Sequence, residues 1–166
     1  FSRQSFTPLR YTVSGSNEDI PEFDKLEYTI DVVRDESPDI KVEMAQDSTN
    51  VNLAFFEGTV SDDQGLQGLK IIAFPTNSAD DRQEMEIPVP KTTFHTFYYT
   101  FPSGLEIEEK GAYSVVFEVT DNDGNRGGKT RRSREFMLRV FDNDEVENIE
   151  LDRKNSLLQG MEQSGM

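Results

Sequence analysis

Short stretches of alternating apolar and polar residues recur between Ile40 and Val140, and turn-forming residues separate them. A period of two places apolar side chains on one face of an extended strand, whereas a helix needs a period near 3.6. The clearest stretch alternates Tyr113, Val115, Phe117 and Val119. Because seven such stretches fit into about 100 residues without any helical periodicity, the sequence predicts an all-β fold, an immunoglobulin-like β-sandwich.

The sequence divides into three parts, which we place at residues 1–34, 35–141 and 142–166. Alternation in residues 9–14 and again in 26–32 predicts a β-hairpin. An isolated hairpin is marginally stable in water. We therefore interpret residues 1–34 as the terminal hairpin of a preceding β-domain that the sequence truncates, with Pro38 marking the corner into the sandwich.

The character of the chain changes after Val140, where acidic residues precede any base. The apolar positions there fit a helical stripe only loosely. Two interpretations stay open, namely a disordered acidic tail and the start of a helix.

Charge and residue usage exclude several classes of function. The net charge is −15, from 17 Lys and Arg against 32 Asp and Glu, and such a field repels nucleic acid and anionic membranes. The chain has no Cys, which excludes disulfides and Cys-ligated zinc. It shows neither an apolar membrane span nor a signal peptide. Since it begins with Phe1, we interpret it as an interior piece with any targeting signal upstream.

Two acidic turns follow predicted strands and are expected at the same end of the sandwich. Their carboxylates belong to Asp62, Asp63, Asp121 and Asp123. Oxygen ligands at close spacing suit calcium, so these residues form a candidate calcium site. Asn, Asp and Gly are also ordinary turn residues, and turn chemistry alone accounts for the composition. Apart from this calcium, the sequence predicts no cofactor.

One basic cluster lies near the last strand. Its members are Arg126, Lys129, Arg131, Arg132 and Arg134, with Arg139 a little further on. Such charges guard the edge of a sheet against aggregation or pair with the acidic tail. The alternative is a binding patch for an anionic partner such as an envelope polymer.

Aromatic residues crowd one predicted strand, between Phe94 and Phe101. Successive residues of a strand point to opposite faces, so some of these rings must leave the core. Exposed rings are platforms for sugars, which makes carbohydrate binding an alternative function. His95 is the only His, and neither a nucleophile triad nor a phosphate-binding glycine loop accompanies it. We therefore expect no enzymatic activity.

Three segments together resemble one family of proteins. These segments are residues 26–40, 59–66 and 117–124, and the similarity extends over about residues 26–145. They resemble large Bacteroidetes envelope proteins that have N-terminal transmembrane helices, immunoglobulin-like extracytoplasmic domains and a long helical C-terminal region. The family has no established activity, so the resemblance implies no catalytic residue. It implies a periplasmic or cell-envelope location in a membrane-anchored parent and a helical stalk after residue 141.

The sequence thus predicts a non-catalytic extracytoplasmic module that acts as a structural spacer or a protein-interaction domain. Expected partners are other domains of the same parent chain and further envelope proteins. We expect this part of the chain neither to bind nucleic acid nor to insert directly into a membrane. A calcium-stiffened adhesion-type module and a carbohydrate- or polymer-binding module are the alternatives.

Overall fold

A computed structural model describes residues 7–15, 23–32, 35–107, 110–123 and 127–164. Across these ranges the chain forms ten β-strands in antiparallel sheets and one α-helix. It divides into two compact units, residues 1–36 and 37–166. The predicted β-rich class is confirmed.

The first unit contains the predicted hairpin, in which β1 (Leu9–Gly15) pairs with β2 (Phe23–Ile30). Tyr11 lies directly opposite Tyr28, and their rings stack with centroids 5.3 Å apart. Directly opposed pairs share one face of a hairpin. Among the side chains that the structure describes, one face therefore carries apolar and aromatic residues, namely Leu9, Tyr11, Val13, Leu26, Tyr28 and Ile30.

The second unit contains two sheets and the helix. In the first sheet the order is β3 (Asp39–Gln46), β4 (Ala54–Ser61), β7 (Phe94–Phe101). In the second sheet the order is β10 (Phe136–Val140), β8 (Gly111–Asp121), β5 (Leu66–Pro75), β6 (Gln83–Ile87), and β9 (Thr130–Arg132) also pairs with β8. Helix α1 (Asn143–Ser164) follows β10.

Both sheets contribute to one hydrophobic core, as the alternation predicts. Phe56 of β4 and Phe97 of β7 lie 5.1 and 5.4 Å from the ring of Phe117 on β8, measured between centroids. Phe117 and Val119 are fully buried. The inward residues thus recur at every second position on strands of both sheets.

The second sheet has β6 at one edge and β10 at the other. Pro88 follows β6, and this position suits proline because proline cannot donate a hydrogen bond to a central ladder. Strand β9 was not predicted. It continues β10 along the same side of β8 after a one-residue bulge, where Ser133 bonds to both backbone polar groups of Phe117.

Strand pairing determines where the chain enters and leaves the second unit. Asp39, at the start of β3, is opposite Ser61, whereas Val140, at the end of β10, is opposite Gly111. Asn52, just before β4, hydrogen-bonds to Phe141, just after β10. The chain therefore enters near the end of β4 and leaves near its beginning, at opposite ends of the sheet.

The acidic tail is helical, which selects one of the two open interpretations. Residues 143–164 form α1, whose first turn carries Asp144 and Glu145. Carboxylates are favourable there because the amino end of a helix is partly positive. Within the described residues, no helix combines the length and hydropathy that a membrane crossing requires.

Candidate functional site

The first acidic turn is built around Asp62, which is 92% buried because it continues the inward series Gly58, Val60 of β4. Its Oδ2 atom accepts hydrogen bonds from the backbone N–H groups of Gln64 and Gly65, both at 2.9 Å. Gly65 has a φ of +118°, a conformation that favours glycine. The carboxylate therefore shapes this turn from inside.

The second acidic turn is built around Asp121, which is fully buried and continues the inward series Phe117, Val119 of β8. Its Oδ1 atom accepts hydrogen bonds from the backbone N–H groups of Asp123 at 3.1 Å and Lys129 at 2.7 Å. This carboxylate therefore bridges both sides of the loop between β8 and β9.

The two turns are neighbours, as the sequence predicts. Leu66 is directly opposite Asp121, and the backbone N–H of Asn122 donates to the carbonyl oxygen of Gly65 at 2.9 Å. Among the residues that the structure describes, each buried carboxylate keeps one oxygen without a hydrogen-bond partner, Oδ1 of Asp62 and Oδ2 of Asp121. A buried polar atom in this condition is costly unless a further group reaches it.

The other two carboxylates of the candidate calcium site lie further out. Asp63 is exposed and Asp123 is half-buried. Among the side chains that the structure describes, no three His, Cys, Asp or Glu residues group closely enough to hold a metal ion. The structure thus places only Asp62 and Asp121 in the buried part of the two turns.

Members of the basic cluster form ion pairs with different acidic residues. Arg132 lies 2.7 Å from Glu118, and Arg134 lies 3.5 Å from Glu43 and above the ring of Phe136. Arg139 pairs with Glu145 at 3.3 Å, so one of the expected contacts with the acidic tail is present. Arg131 is exposed, Lys129 is half-buried, and Arg126 lies outside the described residues.

Arg132 belongs to a row of charges across the outer face of the second sheet. Lys70 on β5 contacts Glu84 on β6 at 2.8 Å and Glu118 on β8 at 3.2 Å. Burial by itself raises the pKa of Glu118, but hydrogen bonds from Arg132 and Lys70 outweigh it and hold this pKa below its ordinary value. The row ties four strands together.

The aromatic strand divides its rings between two faces. Phe97, Tyr99 and Phe101 are buried, whereas Phe94 and Tyr98 are 59% and 71% exposed. Burial raises the pKa of Tyr99 to about 12, and its hydroxyl donates to the carbonyl oxygen of Ser103 at 2.7 Å. His95 lies on the same strand, is half-buried and is paired with Val60 of β4.

The sequence does not reveal the junction between the sheets of the second unit and helix α1. The side chain of Asn52 accepts a hydrogen bond from the backbone N–H of Phe141 at 2.8 Å and donates one to its carbonyl oxygen at 2.9 Å. These residues are 89 positions apart. Asn52 thus holds both backbone groups of the residue between strand and helix.

Two further contacts fix the first turn of α1. The Oδ1 atom of Asp142 accepts the N–H of Glu145 at 2.8 Å, and Glu145 Oε2 accepts the N–H of Asp142 at 3.2 Å, a capping box. Lys110 contacts the Asp142 carboxylate at 2.6 Å. The ammonium of Lys110, together with the Glu145 N–H, holds the pKa of Asp142 below its ordinary value.

Further along the helix, Arg153 donates to the carbonyl oxygen of Ser48 at 2.6 Å, in the loop before β4. Beyond this contact the helix is exposed, including the apolar side chains Leu157, Leu158 and Met161. The first half of α1 is therefore attached to the sheets at several points, and the second half extends into solvent.

Comparison with known proteins does not assign a family. No family profile matches the chain, and no curated protein is similar to it at a significant level.

Proposed function

We propose that residues 37–141 are a non-catalytic immunoglobulin-like β-sandwich that serves as a structural spacer or protein-interaction domain of a larger membrane-anchored envelope protein. The strand order supports the sandwich assignment. A three-stranded sheet, β3-β4-β7, shares its core with a second sheet in the order β10-β8-β5-β6. Two antiparallel sheets packed over one common core characterise this class of domain.

The observation that carries the spacer role is the path of the chain through the second unit. It enters beside Ser61 and leaves beside Gly111, at opposite ends of the sheets. In a domain with this path, the points where the chain enters and leaves are separated by the full strand length. For an eight-residue strand such as β4 that length is about 27 Å.

The second requirement of a spacer is a defined angle at its exit. Three contacts link α1 and the two residues before it to the rest of the unit: Asn52 with Phe141, Lys110 with Asp142 and Arg153 with Ser48. These contacts define the orientation of α1 relative to the sheets. The resemblance of residues 26–145 to envelope proteins supports an extracytoplasmic location and a helical stalk in continuation of α1.

Distance measurement between spin labels tests the rigid exit. The chain has no Cys, so the double variant Lys91→Cys with Gln159→Cys carries labels at two exposed positions only. Because the junction restrains the helix, we expect one narrow distance distribution by pulsed electron resonance. Asn52→Ala removes both hydrogen bonds to Phe141, and we expect this distribution to broaden.

Asn77→Ala is the matched control, since Asn77 is exposed in the turn after β5. It should leave the distribution narrow. Circular dichroism shows whether each variant retains its sheets. If the labelled double variant that retains Asn52 gave a broad distance distribution, the helix would be mobile relative to the sheets, and the spacer proposal would fail.

A further inference from the structure

The two buried carboxylates at the end where the chain enters the second unit point to a bound cation. We propose that Asp62 and Asp121 together hold one Ca²⁺ ion between the acidic turns. This site goes beyond the spacer role and does not depend on it.

The position of the two side chains is the first reason. Asp62 follows the inward positions of β4, in the first sheet, and Asp121 follows those of β8, in the second sheet. Both therefore face the space between the sheets at one end. The hydrogen bond from Asn122 to Gly65 keeps the turns adjacent at 2.9 Å.

The unpaired oxygens are the second reason, and they are independent of the acidic composition. Asp62 is 8% exposed and Asp121 is 0% exposed, yet within the described parts of the chain Oδ1 of the former and Oδ2 of the latter have no hydrogen-bond partner. In each carboxylate the other oxygen already accepts two backbone N–H groups. Each of these oxygens is an acceptor held in place by its turn, and a cation between the adjacent turns would satisfy it.

The donor set decides which cation fits. The free groups are carboxylate oxygens, which are hard ligands. Ca²⁺ tolerates irregular geometry with backbone oxygens and water, whereas Mg²⁺ demands a near-ideal octahedron. Two carboxylates supply part of the six to eight oxygens, so backbone carbonyls and water complete the shell. Asp63 and Asp123 at the rim add negative potential without being required as ligands.

Thermal unfolding of the full 166-residue chain tests the site. The protein is first treated with EDTA, and CaCl₂ is then titrated against NaCl of equal ionic strength. We expect a saturable rise in Tm of roughly 5–10 °C with Ca²⁺ in large excess over its Kd and a much smaller rise with MgCl₂. Calorimetry should give one ion per chain. In NMR spectra the amide signals of Gly65 and Asn122 should shift along the same titration.

Three variants assign the effect. Asp62→Asn and Asp121→Asn are nearly isosteric and should each abolish the rise in Tm caused by Ca²⁺. Asp63→Asn removes the same charge from the same turn at an exposed position, and it should keep the rise. Because Asp121 is fully buried, Asp62→Asn serves as the decisive variant if Asp121→Asn does not fold.

The alternative is that water molecules satisfy the two oxygens. Ca²⁺ would then act only as a counterion for a chain of net charge −15. In that case the Tm would rise without saturation, equally with Mg²⁺ and equally in all three variants. That result, or no change in Tm at all, overturns the proposal.

Discussion

Phe117 packs against aromatic rings from both sheets. It is fully buried, and its ring centroid lies 5.1 to 6.5 Å from those of Phe56, Phe97, Tyr99 and Phe136. Replacing a buried Phe by Ala costs about 3–5 kcal/mol, because a cavity adds to the lost transfer energy. Four rigid rings line this cavity and relax little, so for Phe117→Ala we expect about 4 kcal/mol.

That loss is large against the roughly 5–15 kcal/mol by which a domain is usually stable. It corresponds to a fall in Tm of roughly 12–20 °C for a unit of this size. Urea unfolding followed by far-UV circular dichroism should show a lower midpoint with an unchanged m-value. Phe94→Ala is the control, since Phe94 is 59% exposed, and it should change the free energy of unfolding by less than about 0.5 kcal/mol. A loss below about 1.5 kcal/mol for Phe117→Ala would refute the shared core.

Two further predictions concern the strands. Gly58→Ala places a methyl group against the buried ring of Phe97 and should cost about 1–3 kcal/mol in urea unfolding, whereas Gly68→Ala, which meets open space, should cost little. Glu118 has a pKa below its ordinary value when folded, so its contribution is present above about pH 4.5 and is lost as the pH falls through the lower folded value. Glu118→Gln should therefore destabilise by about 1 kcal/mol at pH 7 and by progressively less as the pH falls below about 4.5, and a penalty independent of pH would contradict the ion-pair explanation.

Local patterns predict most of the strands, and they do so for a physical reason. Alternation is a property of neighbouring residues, so Phe97, Tyr99 and Phe101 reveal their inward face without knowledge of the partner strand. The same parity also extends from Val60 to Asp62 and from Val119 to Asp121. Burial of these two carboxylates was therefore readable from the sequence, although their unpaired oxygens were not.

Other features depend on groups that are distant in the chain. Strand β9 has no apolar side chain, and it forms because β8 offers it an edge and Ser133 bridges the bulge. In the sequence Asn52 is an ordinary loop asparagine, and its role is visible only in the folded structure, where Phe141 lies beside it. The helix did have a local signal, the spacing of Asp142 and Glu145 in a capping box. Beyond the capping box the apolar residues follow helical periodicity only loosely, so the sequence alone does not distinguish a helix from a disordered tail.

The two proposals concern opposite ends of the second unit, and this separates them experimentally. Asp62 lies at the end of β4 and Asn52 just before its start, about 27 Å apart by the length of that strand. Sites that distant, without shared partners, contribute additively to stability. Asn52→Ala should therefore loosen the helix while leaving the Ca²⁺-dependent rise in Tm intact, and Asp62→Asn should abolish that rise while the spin-label distance stays narrow. If each variant changed both measurements, the ends would be coupled through the sheets, and neither residue would act by the local contacts assigned to it.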